Sequence, residues 1–205
     1  MSSRDHILKT IRRHLVEAVD LPSLDQPWIT FADRQQQFAD VLDAIGGRCV
    51  RVPDVAALNA ALTQIPAYAD GTTKCSLVPG VGESTFDLNA ITDPHDLADV
   101  DYAILPGEFA VAENAAVWVT DAHLRHRALY FIPQHLALVV PASEVVNSMH
   151  EAYERLSFNE ARYGAFIAGP SKTADIEQAL VIGAHGARSM HVFLIDSPGE
   201  PTERE

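Results

Sequence analysis

Apolar and polar positions along this 205-residue chain change period again and again. Ile7, Leu8, Ile11, Leu15 and Ala18 recur at helical spacing and predict a helix over residues 3 to 18, with Arg4, Lys9, Arg12 and Arg13 on its polar side. A loop containing Pro22 and Pro27 follows. The pattern then predicts a helix over 31–45 that stops at Gly46-Gly47, a strand over 48–52, and a third helix opened by Asp54 and running to about Gln64. Short apolar runs predict strands over 75–78, 101–105, 117–120, 136–140 and 190–195. Ser143 is read as the cap of a helix to about Leu156, with Val145, Val146, Met149, Ala152 and Tyr153 on its buried side. Strands alternating with helices predict a single α/β domain: a Rossmann-like, largely parallel sheet flanked by helices, with ligands at its carboxyl edge. Residues 1–70 read as a helical segment and first strand of that domain, 71–196 as its α/β core, and 197–205 as a flexible acidic tail.

The densest chemistry lies in Ala165 to Gly186, AFIAGPSKTADIEQALVIGAHG. The run 165–168 reads as a buried strand that ends at Gly169-Pro170. A helix is expected next, with Ser171 and Thr173 as caps, Asp175 and Glu177 in its first turn, and Gly183 releasing it. Free N–H groups at that helix start, together with Lys172, would suit an anion; a plain capped helix explains the same residues. On a helix of about nine residues His185 would lie some 13 Å from Ser171, so the two ends would serve different purposes.

Three other stretches carry candidate chemistry. In FAVAENAAVWVT, Glu113 sits between small residues that let another group approach, which suits an acid, base or nucleophile; a surface-turn glutamate is the plain alternative. His123, Arg125, His126 and Arg127, with His135 beyond, form the densest positive patch. Two arginines can hold a carboxylate or phosphate by paired hydrogen bonds, unless they pair internally with Asp and Glu. His123-x-x-His126 has no third ligand at metal spacing, so no metal site is expected. In PGVGEST, Gly80 and Gly82 give half of a dinucleotide fingerprint without its third glycine, and an ordinary loop is favoured there.

Composition narrows the partners. A formal net charge of -13, with 15 Lys plus Arg against 28 Asp plus Glu, repels nucleic acid and anionic membranes. Apolar residues make up 47% of the chain, enough for a substantial core. The two cysteines, Cys49 and Cys75, are not in Cys-x-x-Cys spacing and support neither a zinc site nor a cysteine-ligated cluster. No secretory signal or membrane-length apolar run is evident, which leaves the cytoplasm as the expected location.

GPSKTADIEQALVIGAHG, with AEN in FAVAENAAVWV and RHRALYFIPQH, resembles the lactate-utilization protein C family, the single-domain branch of the LUD-domain proteins. The resemblance covers roughly residues 77–196. The family's Gly-Pro-Ser-x-Thr-Ala-Asp-Ile-Glu phrase is intact from Gly169 to Glu177. Its Gly-x-His-Gly-Pro phrase ends here in Ala187, and its Ala-Glu-Thr-Gly turn reads Ala112-Glu113-Asn114-Ala115. The resemblance implies a fold similar to the sugar-phosphate isomerase and CoA-transferase-like group. It also implies a role in oxidising L-lactate to pyruvate beside two partner subunits that carry the iron–sulfur clusters, with no cofactor in this chain. Glu113 and His185 stand as candidate catalytic residues. Arg125, Arg127, Gly169, Ser171, Lys172 and Thr173 are candidates for binding a small carboxylate or phosphate, and His135 and Asp175 are further candidates. An independent enzyme of CoA-transferase or phosphosugar type using Glu113, and an assembly subunit without catalysis, stay open as alternatives, as does a homo-oligomer.

Overall fold

The computed structural model describes residues 2–15, 19–122, 124–156, 162–176 and 179–196. Five strands form a wholly parallel sheet: β1 (Arg48–Val52), β2 (Lys74–Ser76), β3 (Tyr102–Pro106), β6 (His135–Pro141) and β11 (Ser189–Ile195), in the order β1-β11-β6-β3-β2. The middle of such a sheet is buried on both faces, which explains why β3 and β6 read as near-continuous apolar runs rather than alternating ones, while the edge strands β1 and β2 keep polar residues. One face is covered by α3 (Val55–Leu62) and α4 (Pro66–Ala69), whose Leu58, Leu62 and Tyr68 pack on Tyr102, Ile104, Val139 and Phe193. The other face meets α2 (Arg34–Ala44) through Phe38 and Leu42, and a second sheet through Ala110, Val117 and Val119.

That second sheet has the order β7-β4-β5-β8, from β4 (Phe109–Val111), β5 (Ala116–Thr120), β7 (Val145–Val146) and β8 (Gly164–Ile167), and is mostly antiparallel. Its far side holds Phe109, Trp118 and Phe166 against α5 (Met149–Arg155). Gly107 lets the two sheets meet: a β-carbon there would sit 2.5 Å from Val117 Cγ1 and 2.8 Å from Val140 Cγ2.

Two expectations are corrected here. The helix foreseen after Ser171 is a hairpin, β9 (Lys172–Ile176) with β10 (Ala179–Ile182), antiparallel with Thr173 opposite Val181. Thr173, Ile176, Val181 and Ile182 are β-branched, and their preference for extended backbone outweighs the capping signals around them. The helix foreseen from Ser143 is likewise divided. A short 3-10 turn covers 142–144, Val145 and Val146 pair with Ala110 and Val111, and α5 starts only after Ser148, whose hydroxyl accepts from Glu151 N. The other predicted strands and helices are present with ends shifted by a few residues.

Cys49 and Cys75 lie on β1 and β2, the two edges of the five-stranded sheet. Four strand spacings of about 4.8 Å part them, so they neither pair as a disulfide nor share a cluster. Burial pushes both thiols up to about 11. Among the described residues, no helix is long and apolar enough to cross a membrane.

Candidate functional site

The arginine–histidine patch lies in the segment between β5 and β6 and divides by task. Arg125 donates to the Asn89 carbonyl and His126 Nε2 lies 3.0 Å from the Ile91 carbonyl, so both fasten the 89–91 turn. The partners of Arg125 and His126 are internal, as in the alternative to an anion site, but they are backbone carbonyls rather than Asp and Glu side chains. Arg127 opens a 3-10 turn, Arg127–Tyr130, and its guanidinium lies 5.1 Å from the centroid of the Tyr163 ring. Stacking occupies the guanidinium face and leaves its in-plane N–H donors directed elsewhere. His123 lies outside the described residues.

The hairpin brings together what a helix would have held apart. Ser171 N donates to Ala187 O at 2.9 Å, and Gly183 N donates to Ser171 O at 2.8 Å. His185 is therefore folded back toward Ser171, on an exposed loop closed by Gly186. A β-carbon on Gly186 would sit 2.8 Å from the Phe131 carbonyl and 3.1 Å from Ser171 Cβ, so only glycine admits this approach. Phe131 follows the Arg127 turn, is 40% exposed, and meets Tyr163 edge-on at 6.4 Å. Contacts thus run from Arg127 through Tyr163 and Phe131 to Gly186 and Ser171, with the exposed His185 next to Gly186 in sequence, and join two distant stretches of the chain.

Neighbouring candidates serve other ends. Lys172 Nζ donates to the Ile45 carbonyl at the C-terminus of α2, where a cation opposes the negative helix end. Gly169, at φ 70°, lies against Ile45, and a side chain there would be strained whatever the space. Thr173 is a half-buried ladder residue opposite Val181. Asp175 belongs to β9 by its backbone, and its side chain lies outside the described residues.

Glu113 is exposed at the β4–β5 turn. Its Oε2 accepts from Met149 N at 2.8 Å, at the first residue of α5, and its own N–H donates to Asn147 O at 3.0 Å. Asn147 in turn accepts from Phe31 N and donates to Glu151. Glu113 and the Ser171 turn therefore stand at opposite ends of α2, since Phe31 leads into that helix and Ile45 caps it. Eleven helical residues part them by roughly 16 Å.

His135 starts β6, and its Nδ1 lies 2.8 Å from Ser189 Oγ. Burial, then Arg188, hold its pKa below the ordinary value, with Asp101 opposing. His191 is lowered for like reasons: burial first, then His135 and Arg48. Tyr102 Oη and His191 Nδ1, on the same sheet face, are buried with no hydrogen-bond partner among the described residues.

The loop after β2 carries a feature the sequence reading passed over. Residues 76–82 and Ser84 line an open cavity of about 300 Å³ at the carboxyl edge of the parallel sheet. Gly80 and Gly82 take φ of 73° and 62°, and Asn59 clamps them by donating to Gly80 O and accepting from Gly82 N. The paired glycines were the available signal. They support a pinned turn rather than a dinucleotide fingerprint.

The profile of the LUD domain matches residues 92–195, half of the chain. The chain belongs to the LUD-domain family. Among LUD-domain relatives, the "Lactate utilization protein C" of Geobacillus thermodenitrificans is 26% identical over 91% of this chain and 93% of its own length. That of Geobacillus kaustophilus is 31% identical over 70% of this chain and 60% of its own. The Bacillus pumilus protein of the same name is 34% identical, but the match spans only 42% of its length. The crystal structure of a DUF162 family protein from Deinococcus radiodurans shares the fold, with a TM-score of 0.58, 20% identity, and coverage of 82% of this chain and 99% of that one.

Proposed function

We propose that this protein is a non-redox component of a multi-subunit L-lactate utilization system, in which it holds a small carboxylate or phosphate. The reading is supported by its similarity, over 91% of the chain, to a protein named for lactate utilization. At the site, support comes from the chain of contacts that links the Arg127 and Ser171 stretches through Tyr163, Phe131 and Gly186: a guanidinium with in-plane donors and a serine hydroxyl, with an exposed histidine on the same loop as Gly186, are groups that suit a planar anion. In this reading two partner subunits carry the iron–sulfur chemistry and the oxidation of L-lactate to pyruvate, and the chain works in the cytoplasm. His185 serves as the group that shares a proton with the bound carboxylate.

The test is a thermal-shift titration with L-lactate, pyruvate, phosphate and CoA on the native chain, Arg127→Ala and Ser171→Ala. A shift for one anion that either substitution abolishes is the expected result. No shift with any of the four would remove the ligand-holding role and favour an assembly subunit. The reading as an independent CoA-transferase-like enzyme places Glu113 and the Ser171 turn in one site. Their separation along α2 weighs against that pairing within one subunit, and a shift with CoA lost in Glu113→Gln would restore it.

A further inference from the structure

Cations are scarce in this chain, and four of its 15 Lys and Arg lie on α1 (Ser3–Arg13), which buries none of its residues. Two of the rest meet two histidines at the amino ends of the parallel strands. The register sets Tyr102 beside His135 and His135 beside Ser189. One pleat further along the same face, His191 stands beside Arg48. His135 and His191 are diagonal neighbours on adjacent strands, about 8 Å apart at Cα. Arg188 directly precedes Ser189; its N–H donates to Gln134 O at 2.8 Å and its stem lies against Gly183.

The inner nitrogens of the two rings fix what the outer ones offer. His135 Nδ1 lies 2.8 Å from Ser189 Oγ. His191 Nδ1 is buried without a partner among the described residues, so a proton there would have no acceptor, whereas on Nε2 it meets water. Neither Nε2 is buried or internally bonded among the described residues, so both open outward. Burial lowers the pKa of both rings, helped by Arg188 at His135 and by His135 and Arg48 at His191, so both are neutral near pH 7. With the Ser189 hydroxyl donating to His135 Nδ1, each neutral ring presents Nε2–H as a donor, an assignment that follows from these partners.

Electrostatic coupling runs from Arg188 to His135, on to His191 and to Arg48, which sets the four groups along one strip of the sheet edge. The surrounding charges leave the strip uncompensated. Asp101 Oδ2 already accepts from Thr72 N, Thr73 N and the Thr72 hydroxyl. Lys74, on the far strand, is paired with Glu83 at 2.8 Å, and Tyr68 and Tyr102 contribute aromatic rings. Arg48 meets Asp43 at 3.3 Å, but both side chains are well exposed and such a pair holds neither partner strongly. The Arg188 guanidinium has no hydrogen bond or ion pair among the described residues. Two guanidinium groups and two N–H donors therefore gather in a protein of net charge -13.

We propose that Arg48, His191, His135 and Arg188 bind a tetrahedral dianion, free phosphate or the phosphate of a small ester, at a site separate from the Arg127–Ser171 stretch. Two guanidinium charges match a dianion, and donors spread over two rungs of the ladder suit tetrahedral oxygens better than a planar carboxylate. The experiment follows the ring signals of His135 and His191 by NMR in the full chain, assigned with His135→Gln and His191→Gln. Inorganic phosphate, glycerol phosphate, sulfate, pyruvate or chloride is added at constant ionic strength. Saturable changes in both rings are expected with phosphate and sulfate, and whichever of phosphate and glycerol phosphate binds more tightly names the source. Sulfate, which stays a dianion throughout, should also raise the titration midpoint of both rings, because it favours their protonated form. In Arg48→Gln/Arg188→Gln the dissociation constant for phosphate should rise about tenfold or more, while Arg127→Ala leaves it unchanged. The two rings report this strip alone, so the outcome is independent of whether a carboxylate binds near Ser171. No saturable change, an equal response to chloride, or pyruvate binding more tightly than phosphate would overturn the proposal. So would affinity lost in Arg127→Ala, or affinity kept in the double variant with a native circular dichroism spectrum.

Discussion

At the residue scale, buried polar atoms and one unusual backbone angle set the local energetics. The Tyr102 hydroxyl is fully buried and unpartnered among the described residues, so it contributes a desolvation cost that no bond offsets. Tyr102→Phe is therefore expected to leave the fold intact and raise stability by about 1 kcal/mol in chemical denaturation. Ala115 takes φ 56° and is fully buried where the related turn has glycine. A β-branched side chain fits that conformation poorly, so Ala115→Val should cost about 2 kcal/mol or more while Ala115→Gly stays within about 1 kcal/mol of the native chain. His135 and His191 have lowered pKa values, so as pH falls the unfolded chain takes up protons before the folded one does. Stability is present above the ordinary histidine pKa and declines as pH drops from about 6.5 toward the folded values. Melting temperature should fall between about pH 7.5 and 5.5, and His191→Gln should flatten that slope.

At the element scale, the central parallel strands were legible because Tyr102–Leu105 and Leu136–Val140 are near-continuous apolar runs ending at Pro106 and Pro141, and Arg48–Val52, despite its two arginines, appears with the predicted ends. The hairpin at 172–182 was not. Ser171, Thr173, Asp175 and Glu177 look like the start of a helix, and only pairing between Thr173 and Val181 or Lys172 and Ile182, eight to ten residues apart, decides otherwise. The same hairpin changes what Lys172 does. Lys172→Met should remove its bond to the end of α2 and cost about 0.5–1 kcal/mol, with ligand-induced thermal shifts unchanged. Glu113 behaves as an anchor for α5 through Met149 N. Glu113→Ala should lower stability by about 1 kcal/mol, read as an earlier denaturation midpoint, whereas Glu113→Gln should lose less because its carbonyl still accepts that bond.

At the scale of the whole molecule, the candidate surface was half visible from the sequence. Its chemistry was readable in Arg127, Ser171 and His185, but their meeting around Phe131 depends on Gly186 packing against both Phe131 and Ser171, a contact no local pattern encodes. The second sheet was hidden for a similar reason. Its strands β4, β7 and β8 are two to four residues long and take their shape from partners far along the chain.

The order β1-β11-β6-β3-β2 places the last described strand between the first and the fourth strands of that sheet in chain order, in ladder contact with both β1 and β6. On the ribosome, then, β1 emerges early but has no strand neighbour among the described residues until 189–195 follow, two-thirds of the chain later. Its edge waits exposed through synthesis, and closing the sheet is a late step of high contact order. A nascent chain stopped before Ser189 should remain open to protease and to strand-mediated aggregation, and release of the final segment should close the sheet in one cooperative step.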